Sequence, residues 1–246
     1  IQKHPKYKLI LAANRDEYYE RPSEPPHFRE DAPHLLAGRD LVAGGTWLGI
    51  TRNGRIAAVT NYRDPSSIKP DAPSRGKLVS DFLVSNLDPV SYLDLIRPAK
   101  DRYNGFNLVV GNVDRLCYFS NRAPGVRTLP PGIHALSNHL LGTPWPKVVK
   151  VREACAGLLA RAGEIPSEAL MAVLQDATPA PDGDLPDTGV GPEWERRLSA
   201  IFIRSPAYGT RSTSVIRVDR EGRADFTEWT HPPDAGAPAP PPRRLA

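Results

Sequence analysis

Cysteine is nearly missing from this chain: Cys117 and Cys155 are the only two in 246 residues. So few exclude a disulfide framework and suit a reducing, cytoplasmic compartment, with both thiols expected as small buried apolar groups. No apolar run approaches the roughly 18 residues that a membrane helix needs, so no membrane span is expected. The net charge is +4, but lysine and arginine are scattered. No basic block signals a nucleic-acid arm, and the balance favours anionic ligands only mildly. A P-loop, a G-x-G-x-x-G turn, a G-x-S-x-G elbow, an H-E-x-x-H helix and a C-x-x-C pair are all lacking, which argues against nucleotide hydrolysis and zinc proteolysis. No metal set and no required cofactor emerges, and there is no internal repeat. The chain opens at Ile1 without the pattern of a signal peptide, so either its start is processed or residues precede it.

What is present reads as an α+β protein of one domain, residues 1–230, followed by a Pro- and Ala-rich tail, 231–246, expected to be extended or disordered. Residues 8–13 form a short buried strand that ends in the polar cluster Asn14-Arg15-Asp16-Glu17, and 22–33 is an extended loop. Asn53-Gly54 between two β-prone runs is a hairpin signal, because both turn residues accept positive φ. Residues 74–86 space Leu78, Phe82 and Leu83 at helical intervals. Asp88-Pro89 supplies a cap and a first-turn proline for a second helix. Strands are expected over 106–112, 116–120, 133–137, 199–203, 212–218 and 224–229. A long helix opens at Thr143-Pro144, another is capped by Ser167, and 179–192 is loop. Strands in hairpins interrupted by helices favour antiparallel sheets, and two sheets with helices outside fit the pattern.

The chemistry is less plainly written. Opposite charges side by side at a strand end are costly to bury unless they organise a site or each other. An ion-paired strand terminus is the plain alternative for Asn14 to Glu17. Arg75-Gly76-Lys77 at a helix start has the form of a phosphate site, but a solvated cap is the better reading.

The cluster has company, in order: Gly44 to Gly49, Thr60-Asn61-Tyr62-Arg63, Ser74-Arg75-Gly76, Gly105-Phe106-Asn107, Leu136-Ser137-Asn138, Thr143 to Lys147, Leu185 to Val190 and Tyr208 to Ser212. The series resembles the NRDE-motif family, the Transport and Golgi organisation 2 type, over about residues 1–229. That resemblance implies the αββα sandwich of the N-terminal-nucleophile hydrolases, with two mainly antiparallel sheets and outer helices. Family members usually begin Met-Cys; if such a start precedes this chain, removal of Met would expose a nucleophilic cysteine whose own α-amine acts as base. By analogy with cysteine-type members of that superfamily, Arg15 would sit beside the thiol and Asp16 would hold the amine. Asn61 and Asn138 would serve an oxyanion and Arg211 would close the site. For each residue alone, a turn former or an exposed strand residue is the plainer reading; together they are expected to converge on one concave site.

The resemblance also implies haem movement, with haem a non-covalent cargo. Arg15, Arg63 and Arg211 would meet its propionates, with Asn14, Asp16, Glu17, Trp47 and Tyr62 completing the ligand set. Axial candidates are weaker: His27 and His34 lie in the Pro-rich loop, His134 and His139 flank Ser137-Asn138, and Met171 reads as core. The leading expectation is thus a small-ligand binding or trafficking protein for haem. An amide-bond hydrolase and an acyl-CoA binder are the alternatives, and the oligomeric state is open.

Overall fold

The computed structural model describes residues 4–233 and 239–246. In chain order the strands are β1 (Tyr7–Tyr18), β2 (Ser23–Arg29), β3 (Ala32–Asp40), β4 (Leu48–Thr51), β5 (Arg55–Asn61), β6 (Phe106–Asn112), β7 (Leu116–Ser120), β8 (Arg127–Thr128), β9 (Tyr208–Asp219), β10 (Ala224–Thr230) and β11 (Arg243–Leu245). The helices are α1 (Gly76–Val84), α2 (Pro89–Ile96), α3 (Pro146–Leu159), α4 (Ser167–Leu174) and α5 (Pro192–Ser199). Two antiparallel sheets result, one ordered β1-β9-β10-β11 and the other running β2 to β8 in sequence, so the protein is α+β. The chain divides into two compact units, one built around each sheet.

The unit of the larger sheet comprises Pro22–Pro130 and Leu136–Thr143. Asn53-Gly54 closes the β4–β5 hairpin, with Gly54 at φ 78 and Ile50 opposite Ile56. Helix α1 lies on β3 to β6 and α2 on β7. Their apolar stripe buries Leu78, Phe82 and Leu93 against Leu35, Phe106, Leu108 and Phe119, each such side chain contributing about 1.5–3 kcal/mol. Asp88 caps α2 by accepting a hydrogen bond from the Val90 amide at 2.9 Å, and the Tyr92 hydroxyl donates to the Leu78 carbonyl at 2.7 Å, locking the two helices together. The Gly-rich approach to β4 has a packing reason. A Cβ on Gly45 would lie 2.4 Å from the carbonyl carbon of Gly76, where the Thr46 amide donates to the Gly76 carbonyl. Gly45 and Gly76 let the start of α1 touch the main chain entering β4. The Arg75 guanidinium donates to the Gly105 carbonyl at 3.0 Å.

The other unit holds residues up to Arg21, Pro131–Ala135 and Pro144–Ala246. Helices α3 and α4 pack together, and α4 lies on β1 and β9. Ile10, Ala12, Val215 and Trp229 meet Leu158, Leu170 and Met171 in this layer, so Met171 is core as its sequence context indicates.

Several expectations are corrected. The polar cluster lies inside the end of β1 and not beyond it: the strand runs on from Ala13 through Tyr18, because β9 offers it paired backbone as far as Tyr208. Residues 22–33 are not loop; β2 pairs with β3, and the register slips between Glu24 and His27, where Pro25 and Pro26 have no amide to give, as an outermost strand tolerates. No strand forms over 133–137 or 199–203. The second stretch is buried, and its backbone finds other partners: the Phe202 amide donates to Asp176 and the Ile203 amide to the Thr210 hydroxyl. Pro192 opens α5 rather than continuing a loop, and Pro146, not Pro144, opens α3. Residues 234–238 of the expected tail lie outside the described residues, and Arg243–Leu245 adds to β10 as β11.

Replacing Gly45 with alanine, which forces backbone against backbone, should destabilise the protein by about 2–3 kcal/mol. Urea unfolding checks this. The same change at Gly163, which has open space around it, should stay within about 0.5 kcal/mol.

Candidate functional site

Alternation along β1 sends the four residues of the polar cluster to two faces. Asn14 and Asp16 face the helices. The Asn14 amide donates to the carbonyls of Leu174 at 2.9 Å and Ile201 at 3.0 Å, while its oxygen accepts from the Thr213 hydroxyl at 2.7 Å. Both ends of the amide are therefore committed to structure: Asn14 ties β1 to the end of α4 and to the segment after α5. Thr213, having given its proton to Asn14, accepts from His231 Nε2 at 2.9 Å. Burial, reinforced by the nearby Arg204 charge, pushes the His231 pKa down to about 4, so the ring stays neutral. Asp16 accepts from the Thr210 hydroxyl at 2.6 Å.

Arg15 stands opposite Ser212, whereas Asp16 stands opposite Thr210. Arg211 is thus the extra residue of a β-bulge, a feature that re-aims a side chain. Its guanidinium donates to the carbonyls of Tyr18, Tyr19 and Arg21, at 2.9, 3.1 and 3.1 Å, clamping the chain as it leaves β1. Glu17 accepts from the Tyr18 amide at 2.9 Å and lies 3.7 Å from the Arg21 guanidinium.

On the face that carries Arg15, pairing places Ser212 beside it and sets Ser214 opposite Glu228 on β10. Glu228 is only 4% exposed and accepts from the Ser214 hydroxyl at 2.7 Å. Desolvation dominates its titration, lifting the pKa to about 7 against the opposing pull of Ser214, Ser212, Arg15 and Arg243. The sequence reading missed this carboxylate. Its signal was present: Glu228 sits two residues from Phe226 in a strand, and so shares a face with a core side chain.

Asn61 and Asn138 belong to the other unit, where they do come together. The Asn138 amide donates to the Asn61 carbonyl at 3.1 Å, and the Arg63 amide donates to the Asn138 carbonyl at 2.7 Å. Residues 136–143 are strapped across the end of β5 and β6. Asn107, fully buried, donates to the His139 carbonyl at 2.9 Å and accepts from the Tyr118 hydroxyl at 2.7 Å. Tyr62 OH lies 2.7 Å from His139 Nε2, and His139 Nδ1 lies 2.8 Å from the Thr143 hydroxyl. Burial lowers the His139 pKa and raises that of Tyr62. With both ring nitrogens committed, His139 has no lone pair directed at a metal. Trp47 lies where a side chain on Gly38 would be, 2.6 Å from its Cβ position. Among the described residues no cluster of His, Cys, Asp and Glu fits a metal ion, and no helix is long and apolar enough to cross a membrane.

The fold and these sites define an α+β protein of two antiparallel sheets with a buried carboxyl and an arginine on one face of the smaller. The chain matches the Transport and Golgi organisation 2 family over residues 1–232, and it belongs to that family. It is 40% identical to the Transport and Golgi organization protein 2 homolog of Bos taurus over 240 residues, 90% of this chain and 86% of the relative. Against the Homo sapiens homolog it is 39% identical over 238 residues, with the same shares covered. Against the Drosophila melanogaster protein identity is 31% over 245 residues, 91% of this chain and 86% of the relative. A penicillin V acylase from Agrobacterium tumefaciens superposes with a TM-score of 0.45 at 11% identity, covering 92% of this chain and 81% of the acylase.

Two outcomes follow from the buried groups. Asn14→Asp replaces a double donor by a carboxylate facing two carbonyls. It should cost about 3 kcal/mol in urea unfolding at pH 7, more than Asn14→Ala. Glu228, with a folded pKa of about 7 against an ordinary 4.5, keeps its proton in the folded state where the unfolded chain has lost it. Its contribution is fully present below pH 4.5 and fades as pH rises through 7. Between pH 5 and pH 8 this group should remove about 2–3 kcal/mol of stability, and Glu228→Gln should abolish that part of the slope.

Proposed function

We propose that this protein binds a small amphipathic anion and passes it on, with haem as the leading cargo and acyl-CoA as the second candidate. The observation that carries the reading is the position of Arg15. It projects from β1, an outer strand, next to a buried polar face, while its neighbours Asn14 and Asp16 are spent on holding the strand. Arg15 puts a guanidinium on the face that carries Ser212 and Ser214, whereas Arg211 acts as an internal clamp. Relatives bear transport in their names, and the family resemblance implies haem movement; both fit a carrier better than a catalyst. The amidase alternative takes its nucleophile from a terminal cysteine upstream of Ile1, a role that the two thiols within the chain do not fill. Cys117 is fully buried on β7, and burial raises the pKa of Cys155 within α3.

Charge-assisted hydrogen bonds to an anion contribute on the order of 1.5–3 kcal/mol. Arg15→Ala should accordingly weaken haemin binding, followed by the Soret band, at least tenfold while unfolding stays cooperative. Palmitoyl-CoA, measured by calorimetry, separates the two cargoes. Tight haemin binding unaffected by Arg15→Ala would mark non-specific adsorption, and a silent titration with both ligands would overturn the reading.

A further inference from the structure

Helix α4 lies on β1 and β9; where the smaller sheet runs on into β10 and β11, the same face opens into a cavity of about 360 Å3. Strand pairing places its side chains: Arg217 stands beside Asp225, and Thr227 beside Arg244. Arg217 Nε donates to both Asp225 oxygens, at 3.1 and 3.0 Å, and its Nη1 donates to the Ile165 carbonyl at 2.7 Å and lies 3.7 Å from Glu164. Glu164 also accepts from Lys6 at 3.0 Å, and Arg244 pairs with Glu168. Glu164, Glu168 and Asp225 thus each face a cation, and neither sign of charge prevails on the wall. The same wall carries a hydroxyl that the fold does not use. Ser167 opens α4, where a serine is expected to cap the helix, but its side chain makes no cap bond. It is 4% exposed, and its hydroxyl has no hydrogen-bond partner among the described residues. A buried hydroxyl left unsatisfied is unfavourable. The first amides of a helix also lack partners within it, and they draw negative charge. Pro166 and Leu245 give the cavity an apolar side.

We propose that this cavity binds a free α-amino acid with an apolar side chain. The ligand carboxylate takes the Ser167 hydroxyl and the amides at the start of α4, with Arg244 alongside. The ligand ammonium lies against Asp225 and Glu164, whose oxygens accept more hydrogen bonds than their cations supply. Pro166 and Leu245 take the side chain. A simple anion would gain the helix end but meet three carboxylates, and a simple cation would gain the carboxylates but meet two guanidiniums. A zwitterion gains from both and brings no net charge. At about 360 Å3 the cavity lies at the small end of ligand pockets, which suits a molecule of this size. Alternation along β9 sends Arg217 and Ser212 to different sides of the sheet, so the cavity lies on the opposite face from Arg15. This inference therefore stands apart from the anion-binding reading above.

L-Leucine is the probe, titrated by calorimetry into the full chain beside 4-methylpentanoate, which lacks the ammonium, and 3-methylbutylamine, which lacks the carboxylate. Leucine should bind about tenfold or more tightly than either analogue. Ser167→Ala, which deletes a hydroxyl without a partner, should leave the urea midpoint unchanged yet weaken leucine binding about fivefold. A purely structural hydroxyl would move stability and not affinity. Arg15→Ala, on the other face, should leave leucine binding unchanged, which separates this cavity from the haemin reading. An analogue that binds as tightly as leucine would overturn the zwitterion assignment, and Ser167→Ala binding leucine as well as the parent would overturn the site. Absence of leucine binding would overturn the proposal outright, whether or not haemin binds.

Discussion

The pairing of β1 with β9 is the constraint on which the smaller sheet depends. It joins Leu9 to Val218 and Tyr18 to Tyr208, residues about two hundred positions apart, so the entropy of closing that loop must be met before the sheet exists. The rest is arranged to hold it. Asn14 fastens the middle of β1 to two carbonyls outside the sheet, Asp16 fastens the next turn of the pleat to Thr210, and Arg211 grips the carbonyls beyond the strand. The bulge at Arg211 shifts the register of this pairing. It lets Asp16 and Thr210 meet on the helical side without rotating Arg15 away from the opposite face. One extra residue lets neighbouring side chains of the cluster serve opposite faces of the sheet.

That division explains how the sequence reading fared. Apolar runs with turn signals located the β4–β5 hairpin, β6, β7 and the capped helix α2, because local chemistry alone decides those elements. Opposite charges at a strand end singled out the polar cluster, and family resemblance gave its residues roles. Neither reading separated Asn14 and Asp16 from Arg15, since which residue faces the helices follows from the partner strand and its bulge. Glu228 escaped notice for the same reason: a glutamate in a strand is ordinary until its neighbours on β9 are known. The segments 133–137 and 199–203 form no strand: the first is only half-buried, and the second is buried without needing a ladder. The second borrows side-chain partners from Thr210 and Asn14 instead.

Several family motifs turn out to be packing devices. Gly45 and Gly76 are small so that two stretches of main chain can touch, and Ser137-Asn138-His139 holds a strap across the ends of β5 and β6 through Thr60, Asn61 and Asn107. These motifs set the frame for the larger sheet.

The order of the chain gives the β1–β9 pairing a consequence during synthesis. At ribosomal speeds of about 5–20 residues per second, β1 leaves the tunnel roughly ten to forty seconds before its partner. The strands β2 to β8 are consecutive in sequence and can assemble in that interval. Throughout it, the alternating face of Leu9, Leu11 and Ala13 waits as an unpaired strand, the kind of edge that other chains can capture. The emerging polypeptide therefore has greatest need of a chaperone at its beginning, although the step that releases that need lies near its end.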